Sequence, residues 1–302
     1  MYDLIVVGGG PAGLTATLYA LSKRLNMLLV SKDLGGQTNY HMEVPITEDQ
    51  PVIRGIEIVN KIKAELERQN FPHRIDTVER VSRYQEGFAV KTQSDQVLQA
   101  RALIIATGVQ HPRLNVTGEA QYLMRGLSYS ALSYAHLFVG KKVVIIGDGE
   151  RALRSAAEMA LAAEHVYLVG PSARVLANPL GKKLKAASNV TVLESAWVTE
   201  VQGDTTYARR VAVREPDGQS SIISADGFFI EMPLIPNSQM VVGLVDLEPQ
   251  GNIKIDARNR TNVPGIFAAG DVASTYAEQV LVAIGGGAKA ALSAYEYLLP
   301  IL

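Results

Sequence analysis

Leu4-Ile5-Val6-Val7-Gly8-Gly9-Gly10-Pro11-Ala12-Gly13-Leu14 is the stretch that decides the fold. Its apolar run, residues 4–7, predicts a short buried strand, and Leu14, Leu18 and Leu21 then recur at helical spacing. Between strand and helix, Gly8, Gly10 and Gly13 form the spacing of a dinucleotide-binding turn. Gly8 permits the tight turn, Gly10 lets the backbone approach a pyrophosphate, and Gly13 allows the helix to lie close on the strand. Pro11 suits the first helical turn, where its missing N–H is no loss. With Ala12 it precedes helix amides that face an anion. A second apolar run, residues 27–30, completes a βαβ unit. At its end, where an acidic residue usually grips the ribose, stands Ser31, with Asp33 two residues on.

The pattern occurs twice. Residues 143–146 lead into Gly147-Asp148-Gly149-Glu150-Arg151-Ala152, then an Ala-rich helix and the apolar run 166–169. Further along, strand 100–106 ends in Thr107-Gly108, and strand 265–269 ends in Gly270-Asp271 before a helix over 280–298. Asp217-Gly218 predicts a hairpin turn. The expected fold class is α/β, with two Rossmann-like dinucleotide-binding domains.

Composition narrows the function. The 302 residues suffice for two domains, and 47% hydrophobic, 20% charged and a net charge of −1 describe an ordinary globular chain. Neither a nucleic-acid partner nor an anionic membrane surface is expected from that charge. No apolar run reaches the roughly 18 residues of a membrane span, and the first strand leaves no space for a signal peptide. The expectation is a cytoplasmic protein. There are no cysteines, which excludes disulfides, thiolate metal sites, Fe–S clusters and thiol nucleophiles. His41, His73, His111, His136 and His165 are scattered, so no metal site is expected.

Taken in order, these motifs and four more resemble the low-molecular-weight thioredoxin reductases, the class II flavoproteins among pyridine nucleotide-disulphide oxidoreductases. The additional matches are Gly35-Gly36-Gln37, Gly126-Leu127-Ser128-Tyr129, Ile235-Pro236-Asn237-Ser238, and Gln279-Val280 with Gly285 and Ala288. The resemblance implies FAD as cofactor. Gly36 and Gln37 would lie along the flavin and ribityl chain, Thr107 and Gly108 would close over the dinucleotide, and Asp271 after Gly270 would bond the ribityl or pyrophosphate region. Gln279 and Val280, at a helix start, would meet the flavin pyrimidine edge, where amides stabilise negative charge. It further implies an FAD domain of residues 1–114 and 246–302, an inserted nucleotide-binding domain of residues 115–245, and a homodimer.

The resemblance breaks where that family carries its chemistry. Its Cys-x-x-Cys pair and following acid are here Ser130, Ser133 and Tyr134, so the dithiol relay is absent and no catalytic side chain is assigned. Tyr134 either shields the flavin or packs at the domain junction. Gly147, Gly149, Glu150, Arg151 and Ala152 keep the form of an NAD(P)H turn. The basic cluster that grips the 2′-phosphate in that family is reduced to a displaced Arg174 in Gly170-Pro171-Ser172-Ala173-Arg174-Val175-Leu176. NAD(P)H, another nucleotide or second flavin, and no ligand all remain open for this turn. The expected function is electron transfer through FAD, from a pyridine nucleotide or a ferredoxin-like redox protein to a non-disulfide acceptor. The alternative is a flavin-binding sensor or scaffold.

Overall fold

A computed structural model describes residues 1–40, 42 and 55–302. The chain divides into two compact units, the first built from three separate stretches and the second from two.

In the first unit, a sheet runs in the order His73–Ile75, Met27–Ser31, Tyr2–Val7, Val97–Ile105, Gly87–Thr92, Val78–Tyr84. The first four strands are parallel, the last two antiparallel, and Ile266–Ala268 pairs in parallel with residues 103–105. Alternate residues of each strand face opposite sides. Leu4 and Val6 pack with Leu14, Ala16 and Ala20 of the helix Pro11–Ser22, and with Ala290, Ala294 and Leu298 of the helix Val280–Leu298. Ile5 and Val7 join Leu28, Val30, Leu103 and Ile105 on the other face. Both faces are thus covered, which is why these strands read as continuous apolar runs. Each fully buried Leu or Ile contributes about 1.5–3 kcal/mol. The two helices touch closely: a Cβ on Gly287 would fall 2.1 Å from the Ala12 carbonyl oxygen.

In the second unit, five parallel strands run in the order Val190–Leu193, His165–Val169, Lys142–Ile146, Gly227–Ile230, Leu127–Ser128. The helix Glu150–Met159 packs its Leu153, Ala156 and Met159 against this sheet. A separate antiparallel sheet of Trp197–Gly203, Ala208–Arg214 and Ser220–Ser224 carries the hairpin at Asp217-Gly218. No helix among the described residues is long and apolar enough to cross a membrane.

The unit boundaries lie at 110/111 and 234/235, away from the expected 114/115 and 245/246. The reason is a pair of short strands. Val109–Gln110 and Ile235–Pro236 pair antiparallel, so residues 235–245 join the first unit. Tyr40 and Met42 belong to the second unit, where Met42 is buried beside Ala131 and Phe229. The expected His41 lies outside the described residues.

Candidate functional site

The first glycine turn is built by register. Val7 is paired with both Val30 and Ile105, so three strand ends finish level and Gly8 leaves the sheet with φ +109°. A Cβ on Gly8 would lie 2.3 Å from the Ala106 carbonyl oxygen, and one on Gly13 only 1.8 Å from that of Gly8. Helix and strand therefore meet through Gly13. Gly10 differs: among the described residues a Cβ there would have no neighbour within 4 Å. In front of Gly10 is open space at the start of a helix with no side-chain cap and no acidic residue in its first turn. The helical ladder begins with the Leu14 N–H donating to the Gly10 carbonyl, so the Ala12 and Gly13 amides precede it. That is an anion-receiving surface.

The other expected residues of this unit gather around it. Gly35 N–H donates to Gly9, and a Cβ on Gly36 would approach Gly10 Cα at 3.0 Å. Gln37 Nε2 donates to the Val109 carbonyl at 2.9 Å, drawing residues 36–37 beside Thr107 and Gly108. A Cβ on Gly270 would fall 3.1 Å from Ala12 Cβ and 3.8 Å from Ala283 Cβ, so the first turns of both long helices meet there. Gln279 caps the second of these, without a side-chain bond, and Val280 opens it. Asp271 accepts from Asn252 Nδ2 through its main-chain oxygen, in a pocket lined also by Glu248, Ser274 and Glu278. Ser31 is buried, and its hydroxyl donates to the Asp33 carbonyl while accepting from the Asp33 N–H. Its bonds are made within the 31–33 turn, and Asp33 Oδ1 accepts from Gly36 N–H.

The second unit holds the second turn. Gly147 packs against the Glu231 carbonyl, where a Cβ would lie at 2.4 Å, and against Ala152 at 3.2 Å. Among the described residues, a Cβ on Gly149 would have only Pro233 within 4 Å, at 3.9 Å. Glu150 opens the helix, and Arg174 is exposed on the short helix Ala173–Leu176. Arg151 turns to the buried Glu231, with Nε 2.6 Å from Oε2, and its Nη2 approaches the Tyr129 carbonyl at 3.5 Å. Burial pushes the Glu231 carboxyl up, against the pull of Arg151.

Ser130 and Ser133 come together: their hydroxyls are 2.8 Å apart. Two hydroxyls can share a hydrogen but cannot store an electron pair as a disulfide does. Below them Glu231 Oε1 accepts the Ala131 N–H at 2.7 Å. Tyr134 OH accepts from Met42 N–H, and burial pushes its phenol up, so it remains protonated. His111 stacks on Tyr129 with centroids 4.7 Å apart; burial and then the Arg151 cation push its imidazole down to about 4, leaving it neutral at pH 7.

Three residues have roles that the motifs alone did not assign. Asn237 clamps Thr107: Thr107 Oγ1 donates to its carbonyl, and its Nδ2 donates to the Thr107 carbonyl. Glu231 left a signal, as a carboxylate directly after the apolar run Gly227–Ile230. Asp148 sits inside the glycine turn, and its Oδ1 accepts from both the N–H and the hydroxyl of Ser172. Among the described residues no group of side chains could hold a metal ion.

The chain is similar to known proteins along nearly its whole length. The family model described as pyridine nucleotide-disulphide oxidoreductase matches residues 2–287. Thioredoxin reductase from Streptococcus pyogenes MGAS5005 superimposes with TM-score 0.88 at 30% identity, over 100% of this chain and 99% of that one. The enzyme from Giardia duodenalis gives 0.87 at 27% identity, over 99% of each chain. The alkyl hydroperoxide reductase of Escherichia coli (strain K12) is, in its F subunit, 33% identical over 308 residues, covering 99% of this chain but 58% of its own length. The chain therefore spans under three fifths of that curated relative.

Proposed function

This chain belongs to the pyridine nucleotide-disulphide oxidoreductase family, and from that premise we propose that it is an FAD-dependent oxidoreductase that moves electrons to an acceptor other than a disulfide. The observation that carries the proposal is the hydrogen-bonded pair Ser130 and Ser133, in a chain without a single cysteine. A dithiol relay has no atoms here to run on.

The residues of the first unit fit FAD. Open space at Gly10 admits a pyrophosphate, and the Ala12 and Gly13 amides would hold it. Gly36, Gln37, Thr107 and Gly108 would line the remainder, with Gly270 and Asp271 between the two helix starts. The amides after Gln279 and Val280 give that helix its positive end, which steadies negative charge placed before it. When bound, FAD supplies hydride acceptance and release of one or two electrons. The protein's part is orientation and electrostatics. His111 is neutral and stacked, Tyr134 keeps its proton, and neither is assigned to proton transfer.

For the second unit we propose a pyridine nucleotide as donor. The support is a helix-opening turn that retains the packing glycine Gly147, the open Gly149 and the small Ala152. The test is anaerobic mixing of the FAD-loaded protein with NADH and NADPH, followed by addition of oxidised thioredoxin or of ferricyanide. Flavin bleaching, then turnover with ferricyanide and none with thioredoxin, is the expected result. Turnover of thioredoxin disulfide would overturn the proposal. A flavin inert to both nucleotides and reduced only by a ferredoxin would replace the donor.

A further inference from the structure

We propose that Asp148 makes the second glycine turn select a nucleotide with a free adenosine ribose, of the NADH kind, over its 2′-phosphorylated counterpart. The inference rests on the reading that the second unit binds a pyridine nucleotide, and it names which one.

The argument begins with where two turns leave the sheet. Ile146 and Val169 are register partners, so Gly147 and Gly170 depart the strand ends side by side. A Cβ on Gly170 would stand 3.6 Å from the Gly147 carbonyl oxygen. Across this junction Asp148 reaches Ser172, accepting its N–H at 2.9 Å and its hydroxyl at 3.0 Å. Both bonds fall on Oδ1, and the side chain is exposed. A carboxylate is thereby fixed beyond the end of the second strand of the βαβ unit.

That is the place where a dinucleotide lying on the glycine turn presents its adenosine ribose. In most such sites the carboxylate comes from the end of the second strand itself; here that stretch is Gly170-Pro171-Ser172, and the carboxylate arrives from inside the turn. Its chemistry is unchanged by that origin. A carboxylate accepts hydrogen bonds from ribose hydroxyls and repels a phosphate esterified at the same position. Arg174 acts the other way, but it is an exposed side chain two residues further on, and such a cation must give up its freedom to hold a phosphate. Asp148 is already held by two bonds. Glu150 opens the helix, on the side of the turn where a pyrophosphate common to both nucleotides would lie, so its charge would not discriminate between them.

The experiment measures binding by titration calorimetry on the full FAD-loaded chain, using NAD⁺ and NADP⁺, which do not reduce the flavin. The wild type is expected to bind NAD⁺ at least about tenfold more tightly than NADP⁺. Asp148→Asn keeps an oxygen to accept the Ser172 bonds and removes the charge, so the ratio should fall about tenfold. Equal binding of both nucleotides by the wild type, or an unchanged ratio in D148N, overturns the inference and leaves the donor reading standing. If neither wild type nor D148N binds either nucleotide, the reading and the inference fall together. The wild-type ratio carries the test should D148N fail to fold.

Discussion

A single methyl group distinguishes what the glycines of the first turn do. At Gly13 it would enter the Gly8 carbonyl, 1.8 Å away, and helix and strand would have to separate. At Gly10 it would meet no atom of the described residues, and the local backbone, with φ −74°, suits any residue. Gly13→Ala is therefore expected to destabilise the flavin-free protein by about 2–3 kcal/mol. Gly10→Ala should leave that stability within about 0.5 kcal/mol while weakening FAD binding by about tenfold or more. Thermal melts without flavin, followed by FAD titration, separate the two. Equal loss of stability in both variants would remove the argument that Gly10 is open for a ligand. The two glycines were assigned these roles from spacing alone, because the order strand, turn, helix fixes which position packs the helix on the strand and which faces outward. Asp148 was not, because its partner Ser172 lies 24 positions away and one polar contact leaves no period in a sequence.

At the scale of an element, the four-residue helix Ala131–Tyr134 is held from a distance. Glu231 accepts its first N–H from 100 positions along the chain, and the buried carboxylate is in turn faced by Arg151. The family resemblance pointed to Ser130, Ser133 and Tyr134 as the altered relay, because each loss could be read against a motif, and the structure brings the two serine hydroxyls to 2.8 Å. It also set Arg151 among the nucleotide residues, where the structure turns it to Glu231; nothing local joins positions 80 apart. The serine geometry makes a direct prediction. The double variant Ser130→Cys, Ser133→Cys should form a disulfide on mild oxidation, with titratable thiols falling from two to none, because the present hydroxyls are already in contact. Thioredoxin turnover should nevertheless remain near background, as Tyr134 supplies no carboxyl. Adding Tyr134→Asp should raise it by about a hundredfold. Full turnover from the two cysteines alone would show that the acid position is dispensable.

The whole molecule is divided unequally between local and distant construction. The second unit takes nearly all its strands from one continuous stretch, 111–234, whereas the first needs both ends of the chain. Val97–Ile105 pairs with Ile266–Ala268, and the helix Pro11–Ser22 packs along Val280–Leu298. A fragment of residues 111–234 is expected to melt cooperatively by circular dichroism. Residues 1–110 alone should not, until residues 235–302 are added. A cooperative melt of 1–110 by itself would contradict this division. The doubled motif made two nucleotide-type folds legible and the family resemblance implied the insertion, but neither gave the edges found here, because they are set by a two-residue strand pair and by Asn237 gripping Thr107 130 positions away.

The pairing of the first helix with the last also fixes an order of events on the ribosome. Between completion of Ser22 and appearance of Val280, roughly 260 residues must be made, about 13–50 s at ordinary translation rates. During that interval the middle of the chain can fold while the apolar faces of Leu14, Ala16 and Ala20 have no permanent cover. Nascent chains stalled before residue 280 should therefore be clients of holding chaperones, and flavin capture should begin only once residues 280–298 have left the ribosome.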